Sequence, residues 1–167
     1  NAVGAVLTNL TFLTIRSTEA SDNDWTGPQA ADDSRWGGYG IAANHCRDTL
    51  VEWCQAHRNG QLTANVGGHG GFIFDNCDGV VARYCLGSGN YDHTPTGDGT
   101  FAQLYGCRNG LIEHCFAWNN AGGFAFKADS FARLERFLIL GSEGGTYYVG
   151  ERELTKQNLD NVRACIA

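Results

Sequence analysis

Short apolar segments alternate with turn residues along most of the chain. The segments TLVEWC, GVVARYC and GLIEHCFAW are rich in β-branched and aromatic residues, and Gly, Asn or Asp stands beside each of them. A second short apolar segment precedes each one: YGIAAN, GGFIFDN and FAQLYG. Runs of this length and composition are typical of β-strands, and no stretch fits a helix of several turns. The pattern therefore predicts an all-β protein.

Cysteines mark a repeat within this pattern. Six of the seven cysteines form three pairs whose members are eight residues apart: Cys46 and Cys54, Cys77 and Cys85, Cys107 and Cys115. The first members are separated by 31 and then 30 residues, a period typical of stacked repeat architectures. A degenerate fourth copy has Phe137 at the second cysteine position, and fainter copies are NLTFLTIRST at the start and NLDNVRACIA at the end.

About three short strands per repeat predict a parallel β-helix, because each strand would pair with its copy one coil away at ~4.8 Å. We expect one domain over residues 1–167 with five to six coils, and long loops at 17–38, 57–70 and 87–99. The cysteines would stack as two internal columns. Buried free thiols are favoured over disulfides between coils, although stacked Cα atoms would lie within bridging range.

The string C-x-N-G-L-I-E-x-C-x-A-x-N-N-x-x-G-F, from Cys107 to Phe124, resembles the coil signature of the right-handed parallel β-helix superfamily. The resemblance covers residues 40–150 well and is closest to secreted bacterial β-helix repeat proteins. Relatives in that superfamily include pectate and alginate lyases, alginate epimerases, polygalacturonases and phage tailspikes. The resemblance implies the fold, its handedness and a secreted, cell-surface or virion-surface location, but no catalytic motif carries over: YDHTPTGD only echoes the epimerase signature.

Composition excludes several classes of function. Of 167 residues 43% are hydrophobic and 18% charged, with 23 Gly and two Pro, which indicates an ordered, turn-rich fold. The net charge is −6 and no Lys/Arg run is present, so neither nucleic acid nor membrane insertion is expected. The chain starts with Asn and contains no Met, which indicates a processed chain or a piece of a longer one.

Loops that leave one position of the cross-section would wall a groove along one side of the solenoid. Aromatic residues in them suit stacking on sugar rings, and carboxylates with imidazoles suit proton transfer. The predicted substrate-binding residues are Trp25, Trp36, Tyr39 and Tyr91. The acid–base candidates are His93, Asp92, Asp98 and His69. Packing of the aromatics onto the coil and ordinary turn roles for the polar residues are the alternative.

Oxygen ligands for Ca²⁺ are available from Asp22 and Asp24, although a solvated acidic loop explains them too. A bound cation would reconcile this acidic protein with an acidic glycan. We also expect Glu52, Arg83, Glu113 and Glu135 to form a charge ladder across four coils. Trp53, Tyr84 and His114 would stack beside it; a lyase-like alternative makes Arg83 a carboxylate neutraliser and His114 a base.

Two functions are compatible with these observations. One is an extracellular protein that binds or acts on a polysaccharide, with the site among the long loops. The other is a non-catalytic structural solenoid, such as a spike, an adhesin or a filament subunit that stacks head to tail through uncapped strand edges.

Overall fold

The computed structural model of the protein describes residues 3–23, 38–60, 70–91, 99–128, 130, 132–141 and 147–149. Within these residues the regular secondary structure consists of β-strands alone, and the strands form three parallel sheets. No helix in this part of the chain is long and apolar enough to cross a membrane.

Sheet A has six strands, in spatial order β1 (Val3–Thr8), β4 (Tyr39–Asn44), β7 (Gly70–Asp75), β10 (Thr100–Tyr105), β13 (Gly122–Lys127) and β16 (Tyr147–Val149). Sheet B has five, in the order β14 (Ala132–Glu135), β11 (Gly110–Glu113), β8 (Asp78–Arg83), β5 (Arg47–Glu52) and β2 (Thr14–Arg16). Sheet C has five, in the order β15 (Leu138–Leu140), β12 (Phe116–Trp118), β9 (Leu86–Ser88), β6 (Gln55–His57) and β3 (Glu19–Ser21).

Successive strands along the chain enter sheets A, B and C in turn, so three strands make one coil. Each strand pairs in parallel with its copy in the next coil, as when Ile41 pairs with Phe72 and Phe72 with Ala102. The predicted parallel β-helix of five to six coils is therefore confirmed. Strand β3 lies within the first predicted long loop, and residues 24–37 of that loop lie outside the described residues.

The interior is filled by phenylalanines from successive coils at two adjacent register positions, because Phe72 and Phe124 align with Ala102 and Phe101 precedes Ala102. Phe72, Phe101 and Phe124 are buried and meet edge to face, with ring centroids 5.3 and 5.7 Å apart. Such geometry suits the quadrupoles of aromatic rings. Space beside them is tight: a Cβ on Gly71 would lie 2.7 Å from the carbonyl oxygen of Phe101, so only glycine fits there. The narrow core explains why small residues alternate with phenylalanine.

The cysteines form the two predicted columns. The Cys46 amide donates to the Cys77 sulfur and the Cys77 amide to the Cys107 sulfur, both at 3.4 Å. In the other column each thiol donates to the carbonyl two residues before it, at 3.2–3.3 Å. All six thiols are buried and free, as the favoured interpretation predicted. Phe137 continues the second column, because the Leu138 amide bonds to Cys115 as the Phe116 amide bonds to Cys85.

A ladder of buried asparagines closes the corner where sheet C ends. Its members are Asn23, Asn59, Asn90 and Asn120. The side-chain amide nitrogens of Asn23, Asn59 and Asn90 each donate to the side-chain oxygen of the asparagine in the next coil, at 2.9, 2.8 and 2.8 Å. The same oxygens accept the backbone amides of the preceding members. These bonds satisfy polar groups that would otherwise be buried without partners, and they fix the corner of every coil they join.

Candidate functional site: an aromatic column beside a charge ladder

The turn from sheet B to sheet C places one side chain of each coil on the outside. The residue at this turn has a positive φ in each of the five coils, between 47° and 57°: Ser17, Trp53, Tyr84, His114 and Arg136. Their backbone amides bond across the coils, as from Trp53 to the carbonyl of Arg83 at 3.2 Å and from Tyr84 to that of Glu113 at 3.3 Å. The left-handed backbone is costly for bulky residues, and the repeating turn requires it at each level.

Trp53, Tyr84 and His114 stack as predicted, and we call them the aromatic column. The Trp53 and Tyr84 rings are 4.4 Å apart at 11°, and the Tyr84 and His114 rings 5.0 Å apart at 25°. Trp53 is 58% exposed and Tyr84 37%. At the far end an Arg136 guanidinium nitrogen donates to His114 Nε2 at 3.3 Å. This ring nitrogen is therefore engaged, and His114 takes part in the stack instead of standing free as a base.

The two ends of the aromatic column differ. His114 is followed by the long side chain of Arg136, but Trp53 is preceded by Ser17 at the equivalent turn position of the first coil. Tyr84 covers one face of the indole. On the opposite side, the residue that the structure places one coil away has only a hydroxymethyl side chain. This arrangement leaves that indole face open and accounts for the large exposure of Trp53.

A charge ladder runs directly beside the aromatic column, one residue earlier in each coil. The register pairs Arg16 with Glu52, Glu52 with Arg83, Arg83 with Glu113, and Glu113 with Glu135. The Glu52 side chain is 7% exposed and lies between two arginines. Its Oε2 accepts bonds from Arg83 Nε and Nη2, both at 2.8 Å, and its Oε1 pairs with Arg16. The predicted ladder is confirmed and extends to Arg16.

The pair of Glu52 and Arg83 favours the charged form of both side chains. The hydrogen bond from Arg83, helped by the charge of Arg16, holds the pKa of Glu52 below its ordinary value against the opposing effect of burial. The same hydrogen bond raises the pKa of Arg83. Because Arg83 is engaged by Glu52, its role as a neutraliser of substrate carboxylates would require that pair to break. The geometry therefore favours a structural ion pair whose polar edge borders the aromatic rings.

Sheet C carries a second group of polar side chains that the sequence did not indicate. His57 Nδ1 lies 2.8 Å from Ser88 Oγ, and His57 Nε2 lies 3.1 Å from Gln55 Oε1. Burial lowers the pKa of His57, so its ring is neutral at pH 7. The Gln55 amide oxygen accepts a hydrogen bond from Nε2–H, and Nδ1 accepts one from the Ser88 hydroxyl. The Ser88 bond joins β6 to β9, the Gln55 bond lies within β6, and Trp118 lies against His57 with ring centroids 5.7 Å apart.

The interior thiols are unsuited to nucleophilic chemistry. A hydrogen bond with the Cys85 thiol raises the pKa of Cys54, and burial adds to this effect. A hydrogen bond with the Cys115 thiol, together with burial, raises the pKa of Cys85 to about 12. In the other column the hydrogen bond from Cys107 lowers the pKa of Cys77 to about 7 and raises that of Cys107. All of these sulfurs are enclosed by the core. Reactive thiolates need access as well as a low pKa.

Most of the predicted groove residues belong to three segments that lie between described parts of the chain. The acid–base candidates His69, Asp92, His93 and Asp98 lie outside the described residues, as do Trp25, Trp36 and Asp24. The segments that contain them, 24–37, 61–69 and 92–98, fall between a member of the asparagine ladder and the next strand of sheet A, with at most one further residue on either side. They therefore leave and re-enter the described solenoid at one corner of its cross-section.

Three predicted site residues are described. Tyr39 begins β4 and is 9% exposed, in a cluster with Ala42 and Ile73, so it belongs to the body of the solenoid and not to an exposed loop. Tyr91 follows the asparagine ladder, is half-buried, and donates its backbone amide to Asn59 at 2.9 Å.

Asp22 is exposed, but both of its carboxylate oxygens accept bonds from Arg58, at 2.7 and 2.6 Å. That pair lowers the pKa of Asp22 and raises that of Arg58. A Ca²⁺ ion would have to displace the guanidinium, so this carboxylate does not fit a cation site as it stands. Within the described ranges, no three His, Cys, Asp or Glu side chains lie close enough together to hold a metal ion.

Comparison with known proteins gives only partial likenesses. No family model and no solved structure matches the chain. Two similar proteins, from Deinococcus radiodurans and Caenorhabditis elegans, are both named RNA-binding protein RO60. The first is 46% identical over 48 residues, 29% of this chain, and the second 35% identical over 60 residues, 36% of this chain. Each match covers 9% of the relative, so the chain spans only a small part of these proteins.

Proposed function

We propose that this chain is an extracellular β-helix protein that binds a polysaccharide along the outside of its coils. The observation that supports it is the exposed aromatic column, because flat rings held in fixed positions stack on the apolar faces of sugars. Repeating backbone bonds hold these rings at successive levels, so the surface needs little ordering when a ligand arrives. The adjoining charge ladder adds donors and acceptors for hydroxyl groups.

Catalysis on the bound chain is a further part of this proposal. The acid–base groups would be His93, Asp92, Asp98 and His69, with Trp25, Trp36 and Tyr91 contacting sugars, as the sequence predicts. All belong to or adjoin segments that start at one corner of the solenoid. A lyase, an epimerase or a hydrolase would each use such groups differently. Dependence of glycan binding on Ca²⁺ stays a prediction. The Asp22–Arg58 pair argues against it, because a bound Ca²⁺ ion would have to displace the guanidinium.

RNA binding is the second candidate function, because both similar proteins are named as RNA-binding. Exposed aromatic rings also stack on unpaired bases. Charge argues against it: the chain carries a net −6, and phosphate binding draws mainly on Lys and Arg. The composition predicts that nucleic acid is not a partner, whereas the partial likeness to RNA-binding proteins favours RNA. A direct measurement of RNA binding decides between the two.

A binding screen of the purified chain tests the proposal. The labelled protein is applied to a glycan array with Ca²⁺ and with EDTA, and single-stranded RNA is titrated at 50 and 200 mM salt. A uronate-lyase absorbance assay runs in parallel. We expect glycan binding and weak, salt-sensitive RNA binding at most. Blank arrays under both conditions with tight RNA binding would replace the proposal by the second candidate. Blank results throughout, with filaments in negative-stain images, would favour the structural solenoid.

A further inference from the structure

At the Trp53 end of the aromatic column, the next turn position carries a small side chain and no ring. Coils two, three and four supply Trp53, Tyr84 and His114, and the first coil supplies Ser17 at the same turn position. Stacked coils are ~4.8 Å apart, close to the 4.4 Å that separates the Trp53 and Tyr84 rings. A ligand ring above Ser17 would therefore sit at stacking distance from Trp53 and continue the column by one level.

Polar groups border this notch on one side. Arg16 precedes Ser17 in the chain, its side chain is 60% exposed, and it pairs with Glu52, which precedes Trp53. The exposed Arg16 guanidinium can donate to a sugar hydroxyl, and Glu52, which is buried and bonded through both carboxylate oxygens, holds that guanidinium in place. The ring face supplies the apolar contact, and the guanidinium supplies direction. Pyranose rings carry both an apolar face and vicinal hydroxyls.

Local charge indicates which sugars fit. Arg16, Glu52, Arg83 and Glu113 are two cations and two anions in register, so their charges cancel. The whole chain has a net charge of −6. A polyuronate or a phosphate backbone would meet repulsion from the protein without an unpaired cation in this ladder segment to offset it. A neutral ring avoids this cost.

We propose that the notch bounded by the open face of Trp53, Ser17 and the Arg16–Glu52 pair is a subsite for one neutral pyranose of a glycan chain. The inference rests on the proposed polysaccharide function and names its ligand class. The sugar stacks on the indole, and one of its hydroxyls accepts a hydrogen bond from the exposed Arg16 guanidinium. The glycan is non-covalently held, and no proton or group is transferred at this subsite.

Two variants should abolish sugar binding at the subsite, one by filling the notch and one by removing its stacking face. Ser17→Trp fills it with a side chain that the same left-handed turn already accepts at position 53, and Trp53→Ala removes the stacking face. Ser17→Ala is the matched control, because it keeps the notch open. Urea unfolding of each variant shows that it is folded. Binding is measured by calorimetry with cellohexaose, xylohexaose and mannohexaose, with hexagalacturonate as the charged probe and single-stranded RNA as the nucleic-acid probe.

We expect at least one neutral hexasaccharide to bind, and both Ser17→Trp and Trp53→Ala to weaken it by about tenfold or more, with Ser17→Ala close to wild type. If Ser17→Trp is folded and binds the neutral glycan like wild type, the subsite is wrong while the proposed function stands. Preference for hexagalacturonate overturns the neutral class. Failure of every glycan to bind, or binding of RNA alone, overturns the subsite together with the proposed function.

Discussion

The asparagine ladder and the aromatic column are built in the same way but differ in what determines their residues. Both place one side chain at an equivalent turn in successive coils. The ladder is asparagine at all four levels, and three of its four members are fully buried. The column position holds serine, tryptophan, tyrosine, histidine and arginine in successive coils. A left-handed residue occurs at both turns, at the column position itself and one residue before each ladder asparagine, yet only the ladder position requires a particular side chain.

Burial explains the difference. An interior turn must satisfy each polar group within the protein, and the asparagine amide does so by donating to one coil while accepting from another. An exterior turn has water for its polar groups, so the fold requires only the left-handed backbone. The residue type at the exterior turn is therefore free to serve binding. This contrast is the reason for placing the candidate site on the aromatic column.

Removing a member of the asparagine ladder should have the largest effect on stability. Asn59→Ala leaves the amides of Asn23 without their acceptor and takes a donor from Asn90. Buried groups left without partners cost about 1–3 kcal/mol each, so we expect unfolding free energy to fall by about 3 kcal/mol or more. Urea unfolding measures it. Gln55→Ala, on the outer face of the same coil, is the control and should change stability by about 0.5 kcal/mol at most. Equal losses of unfolding free energy in the two variants would show that the buried asparagine contributes no more to stability than an exposed side chain.

Interrupting the aromatic column should cost less. Tyr84→Leu keeps an apolar side chain but removes both ring contacts, with Trp53 and with His114. Each stacked pair contributes about 0.5–1.5 kcal/mol beyond area burial, and the exposed position limits the area lost. A decrease of about 1–2 kcal/mol in unfolding free energy is expected. Tyr105→Leu, at another exposed tyrosine of the solenoid, serves as the control. A loss that equals the one in Asn59→Ala would show that the column is a main determinant of stability.

The charge ladder should give the smallest effect, visible in its pH dependence. The pKa of Glu52 is lowered in the folded protein, so its pairing stabilises the fold above the ordinary value of 4.5. This contribution is lost as the pH falls through the lower, folded pKa. Glu52→Gln should therefore be less stable than wild type at pH 7, and the difference should shrink as the pH falls below 4.5. Urea unfolding at pH 7, 5, 4 and 3 measures it; a difference that is constant with pH would contradict the ion pair.

Several features of the fold followed from the sequence because the repeat carries them in chemically conspicuous residues. Cysteines eight residues apart, with a period of 31 and 30, placed both sulfur columns and aligned Glu52 with Arg83 and Trp53 with Tyr84. The asparagine ladder was missed although its signal was present. Asn59, Asn90 and Asn120 each follow the second cysteine of their coil by five residues. Asparagine is also common in ordinary turns. The ladder asparagines are therefore recognised by their constant offset from the cysteine and not by their residue type.

Other features depended on contacts that the repeat does not encode. The open face of Trp53 exists because the first coil, which lacks cysteines, has serine at the equivalent turn. Tyr39 follows two glycines and resembles a loop aromatic in the sequence, but it begins β4 and is buried beside Ala42 and Ile73. The Ser88–His57 bond joins two neighbouring strands whose outer faces are set only by register. Partners brought together across coils are visible only once the coils are stacked.

The most direct test of the division between an interior that stabilises and an exterior that binds is to measure glycan affinity for Asn59→Ala and Trp53→Ala side by side. The probe is the neutral hexasaccharide that wild type binds best, at a temperature where both variants are folded. The account predicts affinity close to wild type for Asn59→Ala despite its lower stability, and affinity reduced about tenfold or more for Trp53→Ala. Unchanged affinity in Trp53→Ala, or an equal loss in both variants, would contradict it.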